Sequence, residues 1–321
     1  MNKSKWQTIL KSGYRDSHAL LSTLGLKAEI PKIPSFPLWA PQPFVSRMIQ
    51  GDRYDPLLLQ ILPSYDELRE DHQFIEDPLQ EQMQSPHQGM IHKYRNRLLL
   101  ITTGGCALHC RYCFRRHFPY EQHHLDMKSI DAYIKQHPEI DEIILSGGDP
   151  LMLKDDKLHD LIGHLSSQHT HIQCIRIHTR LPIVIPDRVT EELIDGLSAH
   201  NLRICLVFHI NHPNEIDDTV ISALNRLPRS IHCYNQSVLL KNINDNANTL
   251  KQLSIALMNA NIQPYYLHLL DPVKGAAHFH VDMDMAKAIY HELQASTSGY
   301  MLPKLCQEIP HQPYKSLVGN L

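Results

Sequence analysis

No stretch of this chain approaches the roughly 20 consecutive apolar residues that a bilayer-spanning helix needs, so the sequence offers no membrane anchor. The opening residues, MNKSKWQTILKSGYRDSHALL, are partly basic but contain neither an unbroken apolar run nor a small-residue cleavage site, and a cytoplasmic location is expected. Excess charge of one sign is also missing. With 31 Lys and Arg against 34 Asp and Glu, the net charge of −3 argues against a nucleic-acid or membrane-surface binder. Cysteine is sparse and odd in number at seven, and four of the seven stand alone, which speaks against a disulfide framework. Low-complexity tracts are absent, as are repeats longer than a strand–helix unit.

What is present is concentrated. TTGGCALHCRYCFRRHF, residues 102–118, gathers Cys106, Cys110 and Cys113 in a C-x3-C-x2-C spacing. The isolated Cys174, Cys205 and Cys233 lie in or beside apolar segments and read as small core hydrophobes. Histidine is plentiful at 23, yet HTH (169–171), HFH (278–280) and EQHHLD (121–126) bring no ligand set at useful spacing and read as solvated or packed.

Six short apolar runs predict buried strands: 97–102, 142–147, 174–179, 203–208, 230–236 and 263–270. Each is followed by helix formers, such as DKLHDLIGHLSSQ or EIDDTVISALNRL, and apart from a longer first interval the strands recur at about the length of a βαβ unit. An α/β fold is expected, a partial (β/α)6 barrel with an open side. The proline-rich residues 1–92 are expected as a helical and coil extension, 93–300 as the barrel and 301–321 as a C-terminal segment. In parallel barrels chemistry collects at the carboxyl ends of strands. The cysteine trio, Gly147-Gly148-Asp149, Thr179-Arg180, His209 with Asn211, Asn235-Gln236 and Asp271 all fall there.

Three thiols on one loop leave the metal chemistry open. A structural zinc site wants four protein ligands, and His109, His117 or a distant Cys could supply the last. An electron-transfer iron–sulfur cluster also normally has four. Three thiolates on a [4Fe-4S] cluster would instead leave one iron free to bind a substrate or cofactor.

With Tyr112 just before the last cysteine and SGGDP after the second strand, the sequence resembles the radical S-adenosylmethionine (SAM) family. The resemblance implies that Cys106, Cys110 and Cys113 hold a [4Fe-4S] cluster, that SAM chelates the open iron, and that one electron from a reductant releases a 5′-deoxyadenosyl radical. It places Gly147, Gly148 and Asp149, and also His209 and Gln236, at the SAM site. From about residue 90 onward, the stretches HKYRNRLLLITTGGCALHCRYCFRR, LSGGDPL, RIHTRLPIVIPDRVT, FHINHPNEI, NQSVLLKNIND, YYLHLLDPVKGAAHF and SGYMLPKL are similar to the lysine 2,3-aminomutase branch, in its short bacterial form that makes β-lysine for elongation factor P.

That branch implies pyridoxal phosphate (PLP) held as a Schiff base on Lys315, with Lys93, Tyr94 and Arg97 at its phosphate. It implies Arg115 on the substrate carboxylate, and Asp271 with Glu308 on the distal ammonium of L-lysine. The product would be (R)-β-lysine, passed by a separate lysyl ligase to elongation factor P. The stretch before Lys315, PHQPYK, lacks the glycine run of the long family members, and the second acid is Glu rather than Asp. Three alternatives stay open: a radical SAM enzyme without PLP, methylating or protein-activating, which would be indifferent to Lys315→Ala; an aminomutase for another amino acid; and a non-enzymatic zinc module, which would be colourless and would not cleave SAM.

Overall fold

The computed structural model describes residues 4–318. Nine strands form one sheet in strict chain order: β1 (Met90–Tyr94), β2 (Arg97–Thr103), β3 (Glu142–Gly147), β4 (Cys174–Thr179), β5 (Arg203–His209), β6 (His232–Val238), β7 (Gln263–His268), β8 (Lys304–Gln307) and β9 (Ser316–Leu317). Strands β2 to β8 pair in parallel, while β1 and β9 close the two edges antiparallel. Because β1 and β9 sit at opposite ends of that order, the barrel remains open.

Between successive parallel strands lie the helices Met127–Gln136, Asp155–Gln168, Glu191–Ser198, Asp218–Leu224, Ala247–Asn259 and Met283–Ser296, which complete six βα units. Their starts are written locally. Asp126, Thr190, Asp217, Asn246 and Asp282 each turn a side-chain oxygen onto a backbone N–H of the first turn, satisfying donors that would otherwise be orphaned. Their apolar stripes bury Ile130, Ile134, Leu158, Ile162, Leu165 and Leu193 against Leu98, Leu100, Ile143, Leu145, Ile175, Ile177, Ile204 and Leu206 of the strands. No helix among the described residues is long and apolar enough to cross a membrane.

All six expected strands are present, and the structure adds a seventh parallel one. β8, with its antiparallel partner β9, comes from the segment that carries Lys315. Four residues of KLCQ are too few for an alternation to be legible; pairing with β7 makes them a strand.

The N-terminal residues share the barrel's core: Trp6, Leu20, Leu24, Phe44, Leu57 and Ile61 are buried in the same cluster as the strand residues. They also brace the cysteine loop, which has little secondary structure of its own. Arg111 is fully buried; its guanidinium donates to both oxygens of Glu67 and to Phe36 O, and its backbone amide donates to Gln60 O. Arg116 adds a further bond to Glu67 at 2.7 Å. A buried carboxylate facing two guanidinium groups is costly to break, because either partner alone would be a stranded charge.

Candidate active site

The loop after β2 carries Cys106, Cys110 and Cys113, all as free thiols. Burial, then the neighbouring Cys113, Asp149 and Cys110, push the Cys106 thiol well up; burial and Cys110 lift Cys113 to about 11. Cys106 and Cys113, both lifted by burial and by neighbouring thiols, need a cationic centre to become thiolates, and an iron cluster is such a centre. Among the described residues no group of three His, Cys, Asp or Glu is suited to a single metal ion. A cubane, by contrast, binds its thiolates through different irons. The candidate fourth ligands are committed elsewhere: His109 Nδ1 pairs with Pro37 O at 2.8 Å, and His117 Nε2 with Lys274 O at 3.2 Å. Cys110 Sγ accepts from Arg180, whose guanidinium also engages Tyr112, Gln60 and Glu215, all at 2.7 Å.

The SGGDP turn is pressed against the start of the cysteine loop. Gly148 N donates to Thr103 O at 2.6 Å and Asp149 N to Gly105 O at 2.8 Å. Gly147 lies at φ 111°, a region open mainly to glycine, and a Cβ on Gly148 would fall 2.3 Å from Gly105 O. Both glycines are therefore required by backbone-to-backbone packing. Asp149 uses both oxygens: Oδ1 accepts from Thr179 Oγ1 and Leu151 N, Oδ2 from Arg180 N and Leu181 N. It ties the loops after β3 and β4 together.

Across the barrel mouth a second cluster forms. Lys315, just before β9, pairs with Glu308, and the same carboxylate takes Lys93 and the Tyr94 hydroxyl from β1. Burial works against the charge on Glu308, but Lys315, Lys93 and Tyr94 outweigh it and bring its pKa down to about 2. Arg97 stacks on Tyr94, 4.5 Å from the ring centroid, and its buried Nε has no partner among the described residues. Arg97 thus suits an anionic group such as a phosphate, with Lys315 nearby, whereas Lys93 and Tyr94 are already engaged by Glu308.

Asp271, past the end of β7, has no hydrogen-bonding or ion-pairing partner for its carboxylate among the described residues. Burial lifts its pKa to about 7 against the pull of Lys315. His209 pairs with Gln236 at 3.1 Å, and burial with Arg180, Arg115 and Lys315 nearby holds it neutral, down to about 3. Arg115 and Lys315 both act on His209 and His178, so the cysteine side and the lysine side share one interior.

Some residues here escaped the sequence reading. His178 and His268 are kept neutral by burial, and each carries a buried Nε2 without a partner among the described residues. Both lie in predicted strands, where period-two alternation could have marked them as inward-facing. Glu81, which pairs with Arg115 at 2.7 Å, had no such signal, since it comes from an irregular segment far along the chain.

Comparison with known proteins locates this arrangement. Residues 100–253 match the radical SAM superfamily. An L-lysine 2,3-aminomutase of Haemophilus influenzae is 47% identical, aligned over 99% of this chain and 96% of its own length. The L-lysine 2,3-aminomutase of Escherichia coli is 46% identical, over 98% and 94%. That of Clostridium subterminale is 34% identical, over 83% of this chain and 65% of its own.

Proposed function

The chain belongs to the radical SAM lysine 2,3-aminomutase family, and from that premise we propose that it moves the amino group of L-lysine from Cα to Cβ with PLP as second cofactor. It is an isomerase of the aminomutase type. Cys106, Cys110 and Cys113 would hold the [4Fe-4S] cluster, and Lys315 would hold PLP with Lys93, Tyr94 and Arg97 near its phosphate. When bound, the reduced cluster with SAM supplies abstraction of the unactivated β-hydrogen, and PLP supplies the covalent handle on nitrogen.

The chain's own residues bind, orient and neutralise. Glu308 holds Lys315 in place but, with a pKa near 2, takes no proton from it. Asp271, near 7, is the nearby carboxylate able to exchange a proton at neutral pH or to receive an ammonium group. Neutral His209, His178 and His268 line the interior without adding positive charge that would repel the substrate. A carboxylate waiting in a buried site favours a side chain with a terminal cation, since a neutral one would leave it unpaired.

The observation that carries this reading is that the cysteine loop follows β2, Asp271 follows β7 and the Lys315 partner Glu308 follows β8, all at the carboxyl ends of parallel strands of one sheet. The product is read as (R)-β-lysine, made in the cytoplasm and handed to the ligase that modifies elongation factor P. Anaerobically reconstituted protein given lysine, SAM, PLP and dithionite is expected to form β-lysine. Formation of 5′-deoxyadenosine without β-lysine would overturn lysine as the substrate.

A further inference from the structure

Arg115, the residue read as the clamp for the substrate carboxylate, already holds a carboxylate. Its Nε donates to Glu81 Oε2 and its Nη2 to Glu81 Oε1, both at 2.7 Å. Nη1 donates to Ser146 Oγ at 3.0 Å and faces Gly147 O at 3.4 Å. The pair is secluded, with side chains 6% and 11% exposed. The fork that matches a carboxylate is therefore filled, and the remaining donors are nearly used up. A second carboxylate cannot be gripped in the same bidentate way until Glu81 withdraws.

Glu81 is delivered by a single surface turn, Glu81–Gln84, whose Met83 is 76% exposed. The residue before it, Gln80, sits at φ 51°, and its Oε1 accepts from His311 Nε2, on a residue itself at φ 63°, at 2.5 Å. His311 precedes Lys315 in the same terminal segment. One short turn thus reaches inward to the clamp and sideways to the segment bearing the lysine.

We propose that Glu81 is an intramolecular stand-in for the substrate carboxylate, and so a specificity-determining residue: only a ligand that brings its own carboxylate displaces it from Arg115. This rests on the aminomutase reading and deepens it. Exchanging one carboxylate for another leaves the buried guanidinium paired both before and after binding, whereas a diamine without a carboxylate would have to leave it unpaired. Displacement carries the 80–84 turn outward and opens the Gln80–His311 contact.

Amide hydrogen exchange over residues 78–85 of the cofactor-loaded protein tests this, with lysine against cadaverine, its analogue lacking the carboxylate. Lysine is expected to speed exchange there about tenfold or more and cadaverine to leave it unchanged. By calorimetry, Glu81→Gln and Glu81→Asp are each expected to bind lysine more tightly, Glu81→Gln by about tenfold. Unchanged exchange with lysine demonstrably bound would overturn the inference and leave the functional reading intact. Weaker lysine binding by both variants would do the same, making Glu81 a support for Arg115. Failure of the wild-type protein to bind lysine at all would remove the functional reading and this inference together.

Discussion

Lys315 and Glu308 form an ion pair across a seven-residue turn, and Glu308 is simultaneously held by Lys93 and Tyr94 from β1. The carboxylate joins the strand nearest the chain's start to the segment at its end, and fixes the lysine amine at the barrel mouth. Lys315→Ala should abolish the visible absorbance band of lysine-bound PLP and lower β-lysine formation by about 10³-fold or more. Iron content should not change. Retained activity would show that another lysine holds the cofactor.

Asp271 has its pKa lifted to about 7, chiefly by burial. If its ionised form receives the distal ammonium, protonation removes the partner. The KM for lysine should then be flat above pH 7 and rise about tenfold per unit below it. In Asp271→Asn that pH dependence should vanish and KM at pH 8 should rise about 100-fold. Steady-state kinetics from about pH 5.5 to about pH 8.5 measure both.

Asp149 accepts from four donors, two on each oxygen. Whichever way an asparagine amide is turned, its NH2 would face two of those donors. Asp149→Asn should cost about 3 kcal/mol, read as a lower urea midpoint with an unchanged slope. A shift below about 0.5 kcal/mol would mean that the loops after β3 and β4 do not depend on it.

Gly148→Ala places a methyl group 2.3 Å from Gly105 O and 2.8 Å from Gly104 C, both backbone atoms that cannot swing aside. The loop leading to Cys106 must move. Reconstituted protein should keep its far-UV circular dichroism and lose most of its bound iron and sulfide. Full iron incorporation would show that the cysteine loop does not need this close approach.

The barrel was legible because its signals are local. Apolar runs such as RLLLIT and EIILSG, each followed by a helix start, read as βα units without reference to the rest of the chain. The cysteine trio stands out for the same reason, three thiols lying within eight consecutive residues. β8 and β9 were not, because a strand of two to four residues has no period and exists only through its neighbour.

By itself the sequence determined the order of strands and helices, the strand ends at which polar residues gather, and the close spacing of three thiols, since periodicity, caps and short spacings are properties of short segments. The tertiary structure alone decided how those residues are used. Asp149 became a four-donor brace, Asp271 was left without a partner among the described residues and lifted toward neutrality, and Arg115 was given to Glu81, 34 residues away. Pairing, burial and the pKa shifts they cause depend on which distant atoms share a low-dielectric space, and no local pattern encodes that.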